Sequence, residues 1–395
     1  MKLNKFTISL FLLSIIFLGC EDYLNIPPEA DISEEEVFGT YESFQGFQDQ
    51  LLRFVVDYNR HGARVTHAIG GEALSPSGQT VYNGNRGDYW YILSNRGIFA
   101  HAESSTFEGG IYTNIWSVIR IANMCLLQLE SGLLVEATDE QRDWLKGQAL
   151  FYRAFFHYEF VRAFGTIPYI DSVLESENQP MKRHWSYEKN GKIYHDTQAV
   201  FERISEDFEE AAEYLPAVWP SHNVNWGRPT KVAALGFMAK ALQYSASPLF
   251  NEQATKVLEY DKELLNRCAI ASHNTIELAK SLIGRQPEGM PQTNSDGLSK
   301  MEDLRQAFAT FDGTQPGTPE VLFRRAADRY GATIVRNSPA RGFGIRQLTN
   351  QRAANGSQNY MDKFEMKDGS RYKIEYDNDP TRRWSDRDNR FKFNF

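Results

Sequence analysis

The sequence predicts a mainly α fold, in which paired helices are followed by a loop-rich part with minor β content. Three observations predict it. Long stretches between residues 113 and 283 repeat their apolar side chains at helical spacing. Helix start and stop signals bracket such stretches: Ser33 with Glu36, Thr230, and Gly165 followed by Pro168. From residue 284 onward Gly, Asn and Arg become frequent and the helical period is lost.

At the N-terminus, Lys2 and Lys5 precede an uncharged run from Phe6 to Leu18. That run is shorter than the roughly 20 residues a helix needs to cross a bilayer, and its basic flank fits an export signal. Gly19 and Cys20 close it in the manner of a bacterial lipoprotein box, with Phe17 where leucine is usual. The reading is that residues 1–19 are a signal peptide and that the Cys20 thiol takes a diacylglycerol; a cleaved leader with a spare thiol is the alternative. Residues 20–32, with Pro27 and Pro28, form the lipidated N-terminus and an extended tether. Removing residues 1–19 takes away two lysines and no acid, moving the net charge from −8 to about −10. That balance excludes nucleic acid, whose phosphates would be repelled. No later apolar run approaches membrane-spanning length, so attachment to a membrane would rest on the lipid alone.

Ser33 and Glu36 open a helix whose apolar positions are Val37, Tyr41, Phe44, Phe47 and Leu51. Residues 59–110 are rich in Gly, Asn, Ser and Tyr and read as a long inserted loop, a common place for binding residues. Helices follow at 113–130, 140–164, 199–215, 230–247 and about 260–283. The second of these is aromatic on nearly every face, which predicts burial on most sides. In the third, Phe201, Ile204, Phe208, Ala211 and Leu215 form one seam, while Glu202, Glu206, Glu209, Glu210 and Glu213 read as a solvated face. Small residues in the fourth, from Ala233 to Ala241, allow close helix approach. Consecutive pairs of this kind give a degenerate tetratricopeptide-like array. Cys125 and Cys268 lie in helical stretches, where they either pair or stay free. Beyond 284, EVLFRRA, KIEY and RFKFNF read as strands, and the chain stops without a turn or cap, as a truncated sequence would.

Catalytic signatures are missing: the sequence contains no G-x-S-x-G, P-loop, H-E-x-x-H or C-x-x-C. His157, mid-helix among aromatics, reads as a packed core residue. No catalytic residue, metal site or cofactor is assigned. Binding is better supported, because a pyranose offers an apolar C–H face and a rim of hydroxyls. Tyr82, Asn85, Arg86, Asp88, Trp90 and Tyr91 supply rings, amide and charge on one loop and are the candidate ligand residues. Trp116 and Trp144, at apolar helical positions, read as core; Trp185, Trp219 and Trp384 are weaker loop candidates.

Six segments in order carry a family resemblance: GCEDYLNIPPEADISEEEVFGTYESFQGF, GQALFYRAFFHYEFVRAFGTIPYI, GRPTKVAALGFMAKALQYSASPLFN, TPEVLFRR, NYMDKFEMKDG and SDRDNRF. The chain resembles the RagB/SusD family of outer-membrane nutrient-binding lipoproteins. The resemblance implies a SusD-like helical platform over residues 33–283, with 59–110 inserted, and a loop-rich region over 284–395 that is incomplete at its end. It implies a lipid-anchored cell-surface protein that captures oligosaccharide, or peptide in some members, for a SusC-like TonB-dependent transporter, without catalysis. Glu21 and Asp22 after the cysteine resemble a surface-export signal. A helical protein-interaction scaffold without a small ligand is the competing expectation.

Overall fold

The computed structural model describes residues 32–55, 73–74, 111–177, 179, 184–220, 224–225, 227–282, 322–323, 355–389 and 391. The helices, in chain order, are α1 (Glu34–Phe38), α2 (Tyr41–Gln48), α3 (Gln50–Arg53), α4 (Ile111–Glu130) and α5 (Asp139–Phe164), then α6 (Asp196–Tyr214), α7 (Lys231–Ala246), α8 (Pro248–Thr255), α9 (Lys262–Ser281) and α10 (Gln358–Met361). Among the long ones, α4 packs on α5, α5 on α6, α6 on α7, and α7 on α9. Each therefore lies mainly against its neighbours in sequence, which is the logic of a tetratricopeptide-like stack.

Local signals set the ends of these helices. At Ser33 the hydroxyl accepts from Glu36 N and the Glu36 carboxylate accepts from Ser33 N, a complete capping box. Thr138 and Gln141 repeat the device at the start of α5. Gly165, at φ 76°, terminates α5 in a conformation that costs side-chain-bearing residues strain. Thr230 Oγ1 accepts from Ala233 N and starts α7. Such caps each contribute about 0.5–2 kcal/mol.

The core is built around α5, whose residues from Gly147 to Val161 are all buried. Its aromatic character explains this, since no face is polar enough to prefer water. The seam of α6, Phe201, Ile204, Phe208, Ala211 and Leu215, is buried against it. Phe151 meets Phe208 at 5.5 Å and Phe237 of α7 at 5.8 Å, and Phe323 adds a ring at 5.1 Å. Full burial of each such ring is worth about 1.5–3 kcal/mol relative to exposure. Cys125 is buried in a second cluster with Phe38, Phe44 and Leu145, and Cys268 lies beside Ala239 O; both are free thiols.

Four features differ from the sequence expectation. The stretch before α6 is a hairpin, β2 (Ser186–Lys189) with β3 (Lys192–His195), rather than loop. Asn190 (φ 52°) and Gly191 (φ 76°) make its two-residue turn, the dipeptide that favours such turns. Second, Glu202 is not on a solvated face: its side chain is 1% exposed, with Lys189 Nζ at 2.8 Å and Arg267 Nη1 at 2.8 Å. The hairpin and α9 cover that side of α6, and Glu206 also lies partly buried at 3.0 Å from Lys189. Third, KIEY is the start of a 3-10 turn, Ile374–Asn378, not a strand. Fourth, Phe391 of the last expected strand is helical; the remainder of RFKFNF lies outside the described residues. A further link joins the loop insertion to the C-terminal region, where β1 (Ala73–Leu74) pairs antiparallel with β4 (Asn355–Gly356).

Close packing of α5 gives a test. A Cβ on Gly147 would meet Leu215 Cγ at 2.9 Å and Leu215 N at 3.1 Å, whereas one on Gly236 of α7 meets nothing nearer than 3.6 Å. Gly147→Ala is expected to lower unfolding stability by about 1–3 kcal/mol in urea titration. Gly236→Ala should be neutral or stabilising by up to about 1 kcal/mol.

Candidate functional site

The ligand residues expected from sequence, Tyr82, Asn85, Arg86, Asp88, Trp90 and Tyr91, lie outside the described residues, as does the lipidation residue Cys20. The described residues form a different concave site. It is a cavity of about 460 Å³ between α4 and the chain that leaves α5. Trp116, Ser117, Ile119 and Arg120 line one side, at the i, i+1, i+3, i+4 positions of a single helix face. Pro168, Ile170, Ser172 and Leu174 line the other, with Gln179.

Alternation along residues 168–174 explains the second wall. In extended backbone, successive side chains point to opposite sides. Pro168, Ile170, Ser172 and Leu174 face the cavity, while the Tyr169 side chain and the Asp171 carbonyl turn toward a polar cluster. The Asp171 carboxylate stays half exposed beside Arg203. Arg153 of α5 donates to Asp207 of α6 through Nε (2.6 Å) and Nη2 (2.7 Å). Its Nη1 donates to Asn123 Oδ1 and to the Asp171 carbonyl. The Tyr169 hydroxyl donates to Asp207 Oδ2. Asn123 Nδ2 donates to the carbonyls of Ile170 (3.1 Å) and Ser172 (3.0 Å). The backbone of the cavity wall is thus bonded from beneath by α4 and α5.

His157 belongs to this cluster and is fully buried. Nε2 accepts from Ile170 N at 3.0 Å, so Nδ1 carries the proton and donates to the Arg153 carbonyl at 2.8 Å. Burial lowers its pKa from 6.5 to about 4, so the ring is neutral and structural. For Arg153, burial works against the charge, but the Asp207 carboxylate more than offsets it and the pKa moves up. Burial and then the Asp207 charge push the Tyr169 phenol well up, so it stays a hydrogen-bond donor.

Trp116 departs from the expectation that it is core. It is 36% exposed, anchored against Phe160 edge-to-face at 4.8 Å, and presents ring surface to the cavity. Arg120 is exposed at the lip, with Nη1 donating to the Leu174 carbonyl at 2.9 Å. Sequence reading missed this residue; the signal was its place one turn after Trp116 on the same face. Trp144 packs on the core and on Trp219. Trp185 and Trp219 are anchored by indole N–H bonds to Ile167 O and Pro229 O, which makes them structural. Trp384 is 44% exposed under the Arg383 guanidinium. Among the described residues no group of His, Cys, Asp and Glu is arranged to hold a metal ion, and no helix is long and apolar enough to cross a membrane.

Two outcomes follow from the cluster. Asp207→Ala leaves Arg153 buried and unpaired and is expected to cost about 3–5 kcal/mol in urea unfolding, with the Arg153→Ala/Asp207→Ala double variant losing less than the sum. His157 has its folded pKa below its unfolded value, so protons bind the unfolded chain first. Its stabilising contribution is intact above pH 6.5 and is lost as pH falls through about 4. In NMR, the His157 ring resonances should hold their neutral-form shifts at pH 6, where an ordinary histidine is mostly protonated.

Comparison with known proteins adds a domain match and a shared fold. A SusD-like family model described as "Starch-binding associating with outer membrane" matches residues 86–242, which include both walls of the cavity. A curated relative, SusD-like protein P2 of Formosa agariphila, is 23% identical over 239 residues, covering 60% of this chain and 42% of its own length. The fold is shared with a SusD-like protein from Bacteroides fragilis (TM-score 0.57, 18% identity, 92% of this chain and 62% of that one). It is shared also with a SusD-like carbohydrate binding protein from the same species (TM-score 0.54, 16% identity, 90% of this chain and 60% of that one). The chain thus spans less than two thirds of the length of these relatives. Residues 86–242 thus carry a SusD-like domain match, and the chain shares its fold with SusD-like proteins.

Proposed function

We propose that the protein is a cell-surface nutrient-binding lipoprotein that captures oligosaccharide and delivers it to a SusC-like TonB-dependent transporter in the outer membrane. The SusD-like domain match over residues 86–242 carries this reading. That segment takes in Arg86, Asp88, Trp90 and Tyr91 of the loop and the Trp116 cavity of the helical platform. In this reading residues 1–19 direct export, Cys20 carries the lipid, and the stretch to residue 32 is the tether. Tyr82, Asn85, Arg86, Asp88, Trp90 and Tyr91 contact the sugar. The role is binding rather than catalysis. It is supported by a cavity walled by an anchored tryptophan, aliphatic side chains and a few polar groups, the usual make-up of a small-molecule site.

Calorimetry of the full chain against a panel of neutral and acidic oligosaccharides is expected to give micromolar binding to at least one, weakened tenfold or more by Trp90→Ala. Absence of binding to every sugar would overturn the reading. Mass spectrometry of the mature protein should find a lipid-modified Cys20 at its N-terminus. Purification from detergent-solubilised outer membrane should bring a TonB-dependent channel with it.

A further inference from the structure

We propose that the Trp116 cavity is a subsite for an acidic sugar, a hexuronate whose ring lies against Trp116 and whose carboxylate is held by Arg120. The inference rests on the sugar-binding reading above and adds to it a site and a ligand charge.

The walls supply what a pyranose needs. Trp116, Ile119, Pro168, Ile170 and Leu174 form apolar surface, and Ser117, Ser172 and Gln179 bring hydroxyl and amide groups. At about 460 Å³ the cavity lies within the ~300–1,000 Å³ of small-molecule sites, enough for the end of an oligosaccharide rather than a long chain. Both walls are fixed before any ligand arrives. Phe160 buttresses Trp116, and Asn123 and His157 hold the Ile170–Ser172 backbone. Pre-organisation of this kind reduces the ordering that binding must impose.

Charge selects the ligand. Arg120 is the one formally charged residue among those lining the cavity. Arg153, Arg203, Arg228 and Arg267 each hold a carboxylate, whereas none of the described residues supplies one to Arg120. The acid within residues 168–174, Asp171, is drawn away: its carboxylate accepts from Arg203 at 2.9 Å and its carbonyl from Arg153. The Arg120 bond to Leu174 O uses one of five guanidinium N–H donors and sets the group at the lip. In a chain of net charge −8, a cation given no carboxylate by the described residues, beside an indole in a cavity, is matched by a carboxylate-bearing ring.

The test is calorimetry of the full chain with trisaccharides of galacturonate, glucuronate and mannuronate and with their methyl esters, which keep the ring and remove the charge. At least one acid is expected to bind tenfold or more tightly than its ester. Arg120→Gln should abolish that preference, Arg120→Lys should retain part of it, and Trp116→Ala should weaken acid and ester alike by tenfold or more. Circular dichroism checks that each variant is folded, and Arg120, being exposed, gives the cleaner comparison. Sugar binding that is indifferent to Arg120→Gln and Trp116→Ala would overturn the subsite and leave the general reading standing. Binding of no sugar, neutral or acidic, would overturn both. Arg120-dependent binding of a peptide through its free C-terminal carboxylate, without any uronate, would overturn the sugar class.

Discussion

The buried pairing of Arg153 with Asp207 is the constraint on which the described architecture depends. Two opposite charges, each less than 10% exposed, sit where α5 and α6 cross. Burying them is expensive, and attraction alone does not guarantee a net gain. What makes the arrangement tenable is that the remaining donors and acceptors are also used, by Tyr169, Asn123 and the Asp171 carbonyl. A cluster satisfied to this degree admits few alternative packings, so it fixes geometry as well as energy.

Its geometric consequence reaches the surface. Helices α4, α5 and α6 each contribute a side chain, and all three converge on one extended segment, residues 169–172. Because that segment alternates, whatever fixes its inward residues also aims its outward ones. Ile170 and Ser172 face the cavity while the Tyr169 side chain and the Asp171 carbonyl are held from below. His157 completes the arrangement by accepting the Ile170 amide, a bond available only to the neutral ring that burial enforces. A mainly hydrophobic stack of helices thereby carries a rigid polar spine beneath one pocket.

Much of the fold was legible in the sequence because helix stacking is local. The capping box at Ser33, the Thr230 cap, the Gly165 stop and the Phe201–Leu215 seam all occupy their expected places. Each is encoded within a few residues by spacing and chemistry. The misreadings arise where a distant element decides burial. Glu202 reads as solvated until Arg267, 65 residues later, and Lys189 cover it. The pairing of Arg153 with Asp207 is invisible in sequence because nothing near either residue names the other, 54 residues away. Trp116 has the periodicity of a core residue, and only the course of residues 168–174 leaves its ring partly open. The β2–β3 hairpin is different: Asn190-Gly191 was a local signal, and the strands were short enough to pass for loop.

The same non-local economy of charge bears on Arg120. Along α5, α6 and α9 several partly buried cations meet carboxylates: Arg153 with Asp207, Arg162 with Glu159, Arg203 with Asp171 and Glu206, Arg267 with Glu202. Arg142, like Arg120, donates instead to a backbone carbonyl. In a chain with 51 acidic and 43 basic residues, carboxylates are in excess, so an arginine given none by the described residues reflects placement rather than shortage. For Arg120 the cause is visible. Its neighbours on the facing segment are Pro168, Ile170, Ser172 and Leu174. The acid within that segment, Asp171, acts through two different groups: its backbone carbonyl accepts from Arg153 and helps hold the wall, while its carboxylate pairs with Arg203. The fixed wall and the low negative charge of the cavity therefore meet at one residue but rest on separate interactions.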